Sequence, residues 1–444
     1  MIKFTVRYFG VFLLIFSICS TSYTQNNQVQ IEELMKKVES LEKIVTKQQQ
    51  EIRGLKQTQQ LTSELKKEVD QILEGKKGDS KHHPILAPLG LDFHIYASLD
   101  IMGSEGIDQS LHPEDDRIDG TLSAYFAISA NPIKNGTAFL LFEVGTGSGL
   151  DGKIPTWGGI NDESGFDKNI AIAELWYEHS LLGDRLQIRF GYLDFSTMFD
   201  TNNVANDGSY QFKSSALVNN RGLELPGSTL DYTLGITAWF SVIPGLKVGC
   251  GIGDGDGDWD QVFDNLYAIG EIQFSFDLLH LPKKIKENWE GNYRFYIWIN
   301  DADHTDLRAS DSSRANYGFG LSFDQKIAGA VMLFLRYGHQ RERVAEYGDA
   351  LSGGLEVLGK LWKRDEDAFG IGWSHIFPSS IYRSQVQRPD GIDSDNESLL
   401  EIYYRLSINE YVSVTPAFQV WNNVAGNDDN DTFITFSVRG ALYF

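Results

Sequence analysis

From Leu91 to Phe444 the chain breaks into segments that alternate apolar and polar residues, joined by connections that alternate in length. The short ones are Asn131–Gly136, Leu182–Asp184, Val242–Gly245, Gln325–Gly329, Trp362–Asp365 and Ile408–Tyr411, with a less tidy stretch from Leu278 to Trp289. The long ones, polar and rich in Gly and Asp, lie near 104–118, 149–167, 197–227, 254–263, 302–313, 341–348, 378–397 and 422–430. Seven short turns and eight long loops make sixteen strands. Short turns at one end and long loops at the other are what a barrel in an outer membrane requires. Closure also leaves no sheet edge facing lipid, where it would find no hydrogen-bond partner. The expected fold is therefore all-β: a 16-stranded antiparallel transmembrane β-barrel over residues 91–444, preceded by an α-helical coiled-coil stalk. A β-sandwich or propeller explains neither the loop asymmetry nor the export signal described below.

The strand faces fit this reading. In Arg185–Leu193, residues Leu186, Ile188, Phe190 and Tyr192 share one side, opposite Gln187 and Arg189. In Asn292–Asn300 the apolar face is Tyr293, Phe295, Ile297 and Ile299, opposite Arg294, Tyr296 and Trp298. Likewise Leu333 and Leu335 oppose Arg336, while Ile402 and Tyr404 oppose Glu401, Tyr403 and Arg405. The last segment carries Ile434, Phe436, Val438 and Leu442 on one face and Arg439 on the other, and stops at Phe444. A charge at the lipid-facing midplane costs about 2–4 kcal/mol, so these ionic residues belong in the lumen. Sixteen strands enclose water where smaller barrels are filled by side chains. A channel is the expected activity.

The amino terminus reads as an export signal. Lys3 and Arg7 precede the apolar run Val11–Ile18, and Ser20 and Ser22 supply small residues for cleavage, so 1–22 is a signal peptide. Cys19 does not turn this into a lipoprotein signal, because bulky Ile18 stands where a small residue is expected. Without Cys19 only Cys250 remains, which excludes an intramolecular disulfide. No later apolar run reaches the ~18 residues of a helical span. A net charge of −22 argues against nucleic acid as a partner.

Residues 26–74 follow a different period. Ile31, Leu34, Val38, Leu41, Val45, Ile52 and Leu55 recur at three- and four-residue steps with Gln48 interrupting, which is the seam of a coiled coil. Leu61, Leu65, Val69 and Ile72 continue in a shifted phase, and a phase shift locally unwinds such a seam. Residues 75–90, opening with Gly75–Pro84, form a linker in which His82 and His83 read as solvated. The expected place of the stalk is the periplasm, with self-association as its first role and peptidoglycan as a further candidate partner.

The third long loop carries the most specific pattern. After Gly191, Leu193 and Asp194 come Asp200, Thr201, Asn202, Ala205, Asn206, Asp207, Gln211 and Phe212. Together with Gly291–Arg294, Phe334–Gly338, Arg364 through Ala368 and Gly370, and Thr415–Gln419, this resembles the carbohydrate-selective porins of the OprB type across most of 90–444. The resemblance implies an outer-membrane channel that passes sugars and other small hydrophilic solutes, with the long loop folded inward as a constriction built on Asp200, Asn202, Asn206, Asp207 and Gln211. Resemblance to trimeric porins implies a homotrimer. The candidate lumen set is Arg189, Arg294, Arg336, Arg405 and Arg439 with Glu174 and Glu401, and the rings of Trp176, Tyr296 and Trp298. Hydroxyls need paired donors and acceptors, and the CH faces of sugars suit aromatic rings. Across-lumen Arg–Glu pairs that only stiffen the wall are the plainer reading of the same ions.

Other readings stay in view. A general, weakly cation-preferring pore is the main competitor. A phosphate-selective pore, suggested by the stalk, would be expected to carry inward lysines, which are scarce here. A stalked envelope tether does not account for so large a barrel. Asp254, Asp256 and Asp258 resemble the start of a calcium loop, although Trp259 stands where glycine is usual and no glutamate closes the frame. No cofactor is otherwise expected. No nucleophile–base order or phosphate-cradling glycine loop points to an enzyme.

Overall fold

A computed structural model describes residues 91–106, 117–164, 166–227, 232–275, 289–327, 329–385, 394–428 and 432–444. The signal peptide, coiled coil and linker read from the sequence lie outside the described residues. The strands are β1 (Leu91–Glu105), β2 (Ile118–Ile133), β3 (Gly136–Gly147), β4 (Phe166–Leu181), β5 (Leu186–Asp194), β6 (Tyr232–Ile243), β7 (Leu246–Asp254) and β8 (Leu266–Ser275). They continue as β9 (Gly291–Asp306), β10 (Ala309–Ile327), β11 (Val331–Gln340), β12 (Tyr347–Leu358), β13 (Ala368–Pro378), β14 (Glu397–Asn409), β15 (Val412–Asn422) and β16 (Phe433–Tyr443). Each pairs antiparallel with its sequence neighbours, and β1 pairs with β16 to close the barrel.

The closing seam shows how the end of the chain is used. Tyr96 lies opposite Tyr443 and Asp100 opposite Arg439. Beyond the strand itself, Phe444 donates its N–H to the Ile95 carbonyl at 2.8 Å and accepts the Ile95 N–H at 2.9 Å. Its ring stacks on Tyr411, with centroids 5.9 Å apart. The final residue is thus both the last rung of the seam and part of an outward aromatic pair near the short turns.

Period-two patterning places the side chains as expected. Ile297 is 69% exposed on the outer face of β9, while Tyr296 and Trp298 beside it are buried. On β16, Phe436, Val438 and Leu442 face outward, and Thr435, Arg439 and Ala441 are buried inside. In lipid the outer set meets hydrocarbon, so its exposure costs nothing there.

One connection departs from the sequence reading. The long polar loop expected at 302–313 is instead a tight hairpin, with only Leu307 and Arg308 between β9 and β10. Asp306 explains the extension: its carboxylate accepts Arg343 Nε at 2.7 Å, Arg314 Nε at 2.5 Å and the Arg308 N–H at 3.0 Å. Register shifts flank this pin, between Ala309 and Ser313 and between Arg314 and Asn316. Polar strands reaching past the bilayer look like loops by composition alone. The short turn before β13 carries a comparable staple. Arg364 Nε donates to Asp367 at 2.6 Å, and Asp367 also accepts the Tyr404 hydroxyl and the Ser407 N–H.

Candidate functional site: a latched loop and an acidic opening

The chain between β5 and β6 does not stay outside the barrel. Phe195 and Phe199 turn inward and pack with Tyr267, Tyr296 and Trp298 in one buried cluster. Phe212 and Leu217 join a second with Phe334, Tyr403 and Trp421. Phe212 meets Tyr403 edge-on at 4.9 Å. A short helix, α1 (Ser215–Val218), is capped by the Ser214 hydroxyl, which accepts the Ala216 N–H at 3.2 Å. The lumen therefore has an apolar core of its own. Burying these rings supplies the loop's docking energy, at roughly 25 cal/mol per Å² of apolar surface.

Polar latches fix the register of the docked loop. Arg336 on β11 donates Nη1 to the carbonyls of Ala205 and Leu217, the latter at 2.8 Å, and Nη2 to the Asp200 carbonyl at 2.9 Å and Asn206 Oδ1 at 3.0 Å. Its Nε lies 2.9 Å from the Asp200 carboxylate. Asp200 adopts a left-handed φ of 56°, which turns its N–H to Glu271 at 2.9 Å while its carboxylate accepts the Tyr296 hydroxyl at 2.9 Å. Burial pushes the Asp200 carboxyl up, and Arg336 opposes that push. Glu401 accepts the backbone N–H groups of Lys213 and Ser214 at 2.7 and 3.0 Å. The Lys213 ammonium itself reaches Asp100 on β1. Arg439 donates to the carbonyls of Gly208 and Gln211. Arg405 donates to the Tyr210 carbonyl at 3.1 Å with its guanidinium 3.5 Å above the Tyr210 ring.

Close backbone approach completes the docking. A Cβ on Gly222 would lie 2.3 Å from the Gly338 backbone, so only glycine lets the loop touch β11 here. Asn220 bridges the same point, donating to the Tyr296 hydroxyl at 2.6 Å and the Tyr337 carbonyl at 2.9 Å.

An opening of about 950 Å³ lies between the docked loop and the wall of β1–β6, with Tyr443 of β16 at its edge. Glu143, Glu174 and Asp194 line it from the wall, and Asp151, Asp162, Glu163 and Asp207 from the loops, with Arg221 as the single base among the described residues. Tyr96, Tyr125, Tyr232 and Tyr443 line it as well. Tyr96 sits 5.7 Å from Tyr125 and 5.2 Å from Tyr443, centroid to centroid, which makes a continuous aromatic strip. The connection between β3 and β4 also bends inward, where Glu163 accepts the hydroxyls of Ser123 at 2.7 Å and Tyr125 at 2.9 Å. Asp151 folds that connection on itself by accepting the N–H groups of Ile160 and Asn161 at 2.6 and 3.0 Å.

Most of the residues singled out from the sequence fall into two groups. Arg336, Arg405, Arg439, Glu401, Tyr296 and Trp298 face inward but are buried, and Arg294 is buried in a pair with Asp324 at 2.7 Å. Glu174, Asn202, Asn206, Asp207 and Gln211 line the cavity. Several of these also hold the loop's shape, as Gln211 does by donating to the Asn203 carbonyl at 2.9 Å and accepting the Asn206 N–H at 2.8 Å. Trp176 donates to Glu174 at 2.8 Å, stacks on Phe139 and carries the Arg189 guanidinium 3.8 Å above its ring. Arg189 pairs in turn with Glu178 at 3.0 Å. Sequence reasoning missed Tyr96, Tyr125 and Tyr232, although each lies on the inward side of its strand. Of the acids at the loop after β7, Asp254 and Asp256 converge with Asp264, not Asp258, their oxygens within 4.8 Å of one another.

Comparison with known proteins adds the family. Residues 116–444 match the model of the carbohydrate-selective porin, OprB family. The chain belongs to that family. This porin is also similar in fold to the high-pH structure of Pseudomonas putida OprB, with a TM-score of 0.70 at 14% identity over 82% of this chain and 96% of that one. The low-pH structure of the same protein gives 0.52 at 13% identity over 82% and 95%. The outer membrane channel DcaP of Acinetobacter baumannii gives 0.50 at 9% identity over 80% and 97%. No curated protein matches the sequence. The family and the closed barrel make the protein an outer-membrane channel for carbohydrate diffusion rather than an enzyme.

Proposed function

We propose that this porin passes small sugars and other hydrophilic solutes through the opening between the docked loop and β1–β6. The observation that carries this reading is the lining of that opening, where a strip of tyrosine rings faces carboxylates across about 950 Å³. Rings offer flat apolar surface to sugar CH groups, while carboxylates and phenols pair with hydroxyls. In this reading Glu174, Asn202, Asn206, Asp207 and Gln211 meet solute, and Arg336, Arg405, Arg439 and Glu401 act one step back by holding the loop. A channel needs contacts weak enough to release its solute, which open-sided contacts of this kind allow. The acidic lining does not suit a phosphate-selective pore.

Purified protein in liposomes tests the reading by swelling rates. Sugars should enter faster than size-matched neutral solutes such as linear polyols, and equal rates would remove the claim of sugar preference. A homotrimer with a periplasmic stalk, which contacts peptidoglycan as its envelope partner, completes the proposal. The heptad seam over 31–55 supports self-association, and resemblance to trimeric porins supports three copies. Deleting 26–78 should leave a folded barrel that assembles less well, and unchanged assembly would assign the stalk another role.

A further inference from the structure

We infer that the opening ranks sugars by charge and favours cationic ones, protonated amino sugars above neutral hexoses and neutral hexoses above uronic acids. The inference deepens the reading of this opening as a sugar path and rests on it. Its basis is where the positive charges of the lumen go. Four of the buried cations each have their own carboxylate: Lys213 with Asp100, Arg294 with Asp324, Arg336 with Asp200 and Arg405 with Glu356. Arg439 donates to loop carbonyls, and in number its charge is matched by Glu401, whose oxygens accept two loop N–H groups and the Gln419 amide. Arg189, the next base along the wall, is paired with Glu178 and stacked on Trp176. The loop–wall seam thus brings no surplus of positive charge to the path. Among the described residues, the cavity itself keeps the seven carboxylates named above against Arg221.

Rings of Asp and Glu select cations in a pore because the wall has low polarisability and the field is focused on the water path. A sugar carrying an ammonium gains from that field, and its hydroxyls still find the tyrosine strip. A sugar carrying a carboxylate meets repulsion at every one of the same contacts. Two or three effective charges acting at roughly 8 Å through a water-like dielectric separate the +1 sugar from the neutral one by on the order of tenfold in entry, and the +1 from the −1 sugar by on the order of a hundredfold.

The test uses the full-length porin in proteoliposomes at pH 7, with uptake of glucosamine, N-acetylglucosamine and glucuronate, three solutes built on one hexose ring. The expected order is glucosamine, then N-acetylglucosamine, then glucuronate, with a cation-selective reversal potential in a KCl gradient. Glu143→Gln combined with Glu174→Gln should bring glucosamine to within about twofold of N-acetylglucosamine, since two of the wall's charges are gone. Glu163→Gln, placed on a loop, should reduce the ratio by itself, and heat-modifiable migration on gels checks that each variant is a folded barrel. Equal entry of glucosamine and glucuronate, or an order unmoved in folded variants, would overturn the inference while leaving a neutral sugar channel intact. Entry of none of the three above protein-free leak would instead remove the sugar-path reading.

Discussion

Replacing Arg336 with alanine should unlatch the constriction loop without unfolding the barrel. The substitution removes donors to three loop carbonyls and to Asn206, together with the ion pair to Asp200. Breaking one partner of a buried pair costs about 3–5 kcal/mol, chiefly because the other charge stays behind without compensation. Here that charge is Asp200, left with the Tyr296 hydroxyl and the Glu271-bound turn around it. At about 1.4 kcal/mol per factor of ten, the docked-to-undocked ratio falls by two to three and a half decades. The remaining anchors at Arg405 and Arg439 keep the loop tip around Gly208–Gln211 near the wall, so the expected change is a wider, noisier channel. Planar-bilayer recordings should show raised single-channel conductance. Trypsin should cut after Lys213, whose side chain is 1% exposed in the docked loop. Arg336→Lys should fall between, since an ammonium can keep Asp200 but not the whole fork of acceptors. Wild-type conductance, wild-type noise and an uncut Lys213 in a folded Arg336→Ala barrel would refute this account of the latch.

Gly222→Ala should act at the same seam by sterics alone, because its Cβ would sit 2.3 Å from the Gly338 backbone; raised conductance is expected, and an unchanged channel would show that the seam yields. Burial pushes the Glu163 carboxyl up to about 7, helped by Asp162 and Asp207 and opposed by the Ser123 and Tyr125 hydroxyls, with the Tyr96 phenol also near. Since the folded value is raised, the ionised group opposes the inward fold above that pH, and the cost is relieved as pH falls from about 7 toward 4.5. Cation preference measured by reversal potential should therefore drop from pH 8 to pH 5, with Asp151, raised to about 6, adding a second step; Glu163→Gln should flatten the upper step. Deleting Phe444 removes both hydrogen bonds to Ile95 and the stack on Tyr411, and the yield of heat-modifiable barrel should fall; wild-type yield would show the seam closes without it.

How much of this was legible in the sequence depends on the range of the interaction. Strand number and facing were, because the alternation of Phe436, Val438 and Leu442 against Thr435 and Arg439 is local. The inward loop was legible through the Asp200–Phe212 pattern. What the pattern did not reveal is that Arg336, Arg439 and Glu401 reach the backbone of that loop more than a hundred residues away, which covers them. Facing inward and facing water are different properties once the lumen has a core. The tyrosine strip was hidden for a related reason: Tyr96 and Tyr443 meet only because β1 closes on β16. The hairpin at Leu307–Arg308 was misread because polar strands above a bilayer have the composition of loops.

The off-centre docking of the loop divides the cylinder into two halves with separate duties. Strands β8–β16 carry most of the anchors, and β1–β6 present most of the free wall. Residues on the first arc answer to the fold of the constriction, so exchanging them risks the gate's shape. Residues on the second arc answer mainly to whatever travels past them. Solute preference in such a porin can drift, or be redesigned, by rewriting one arc while the other keeps the aperture in place.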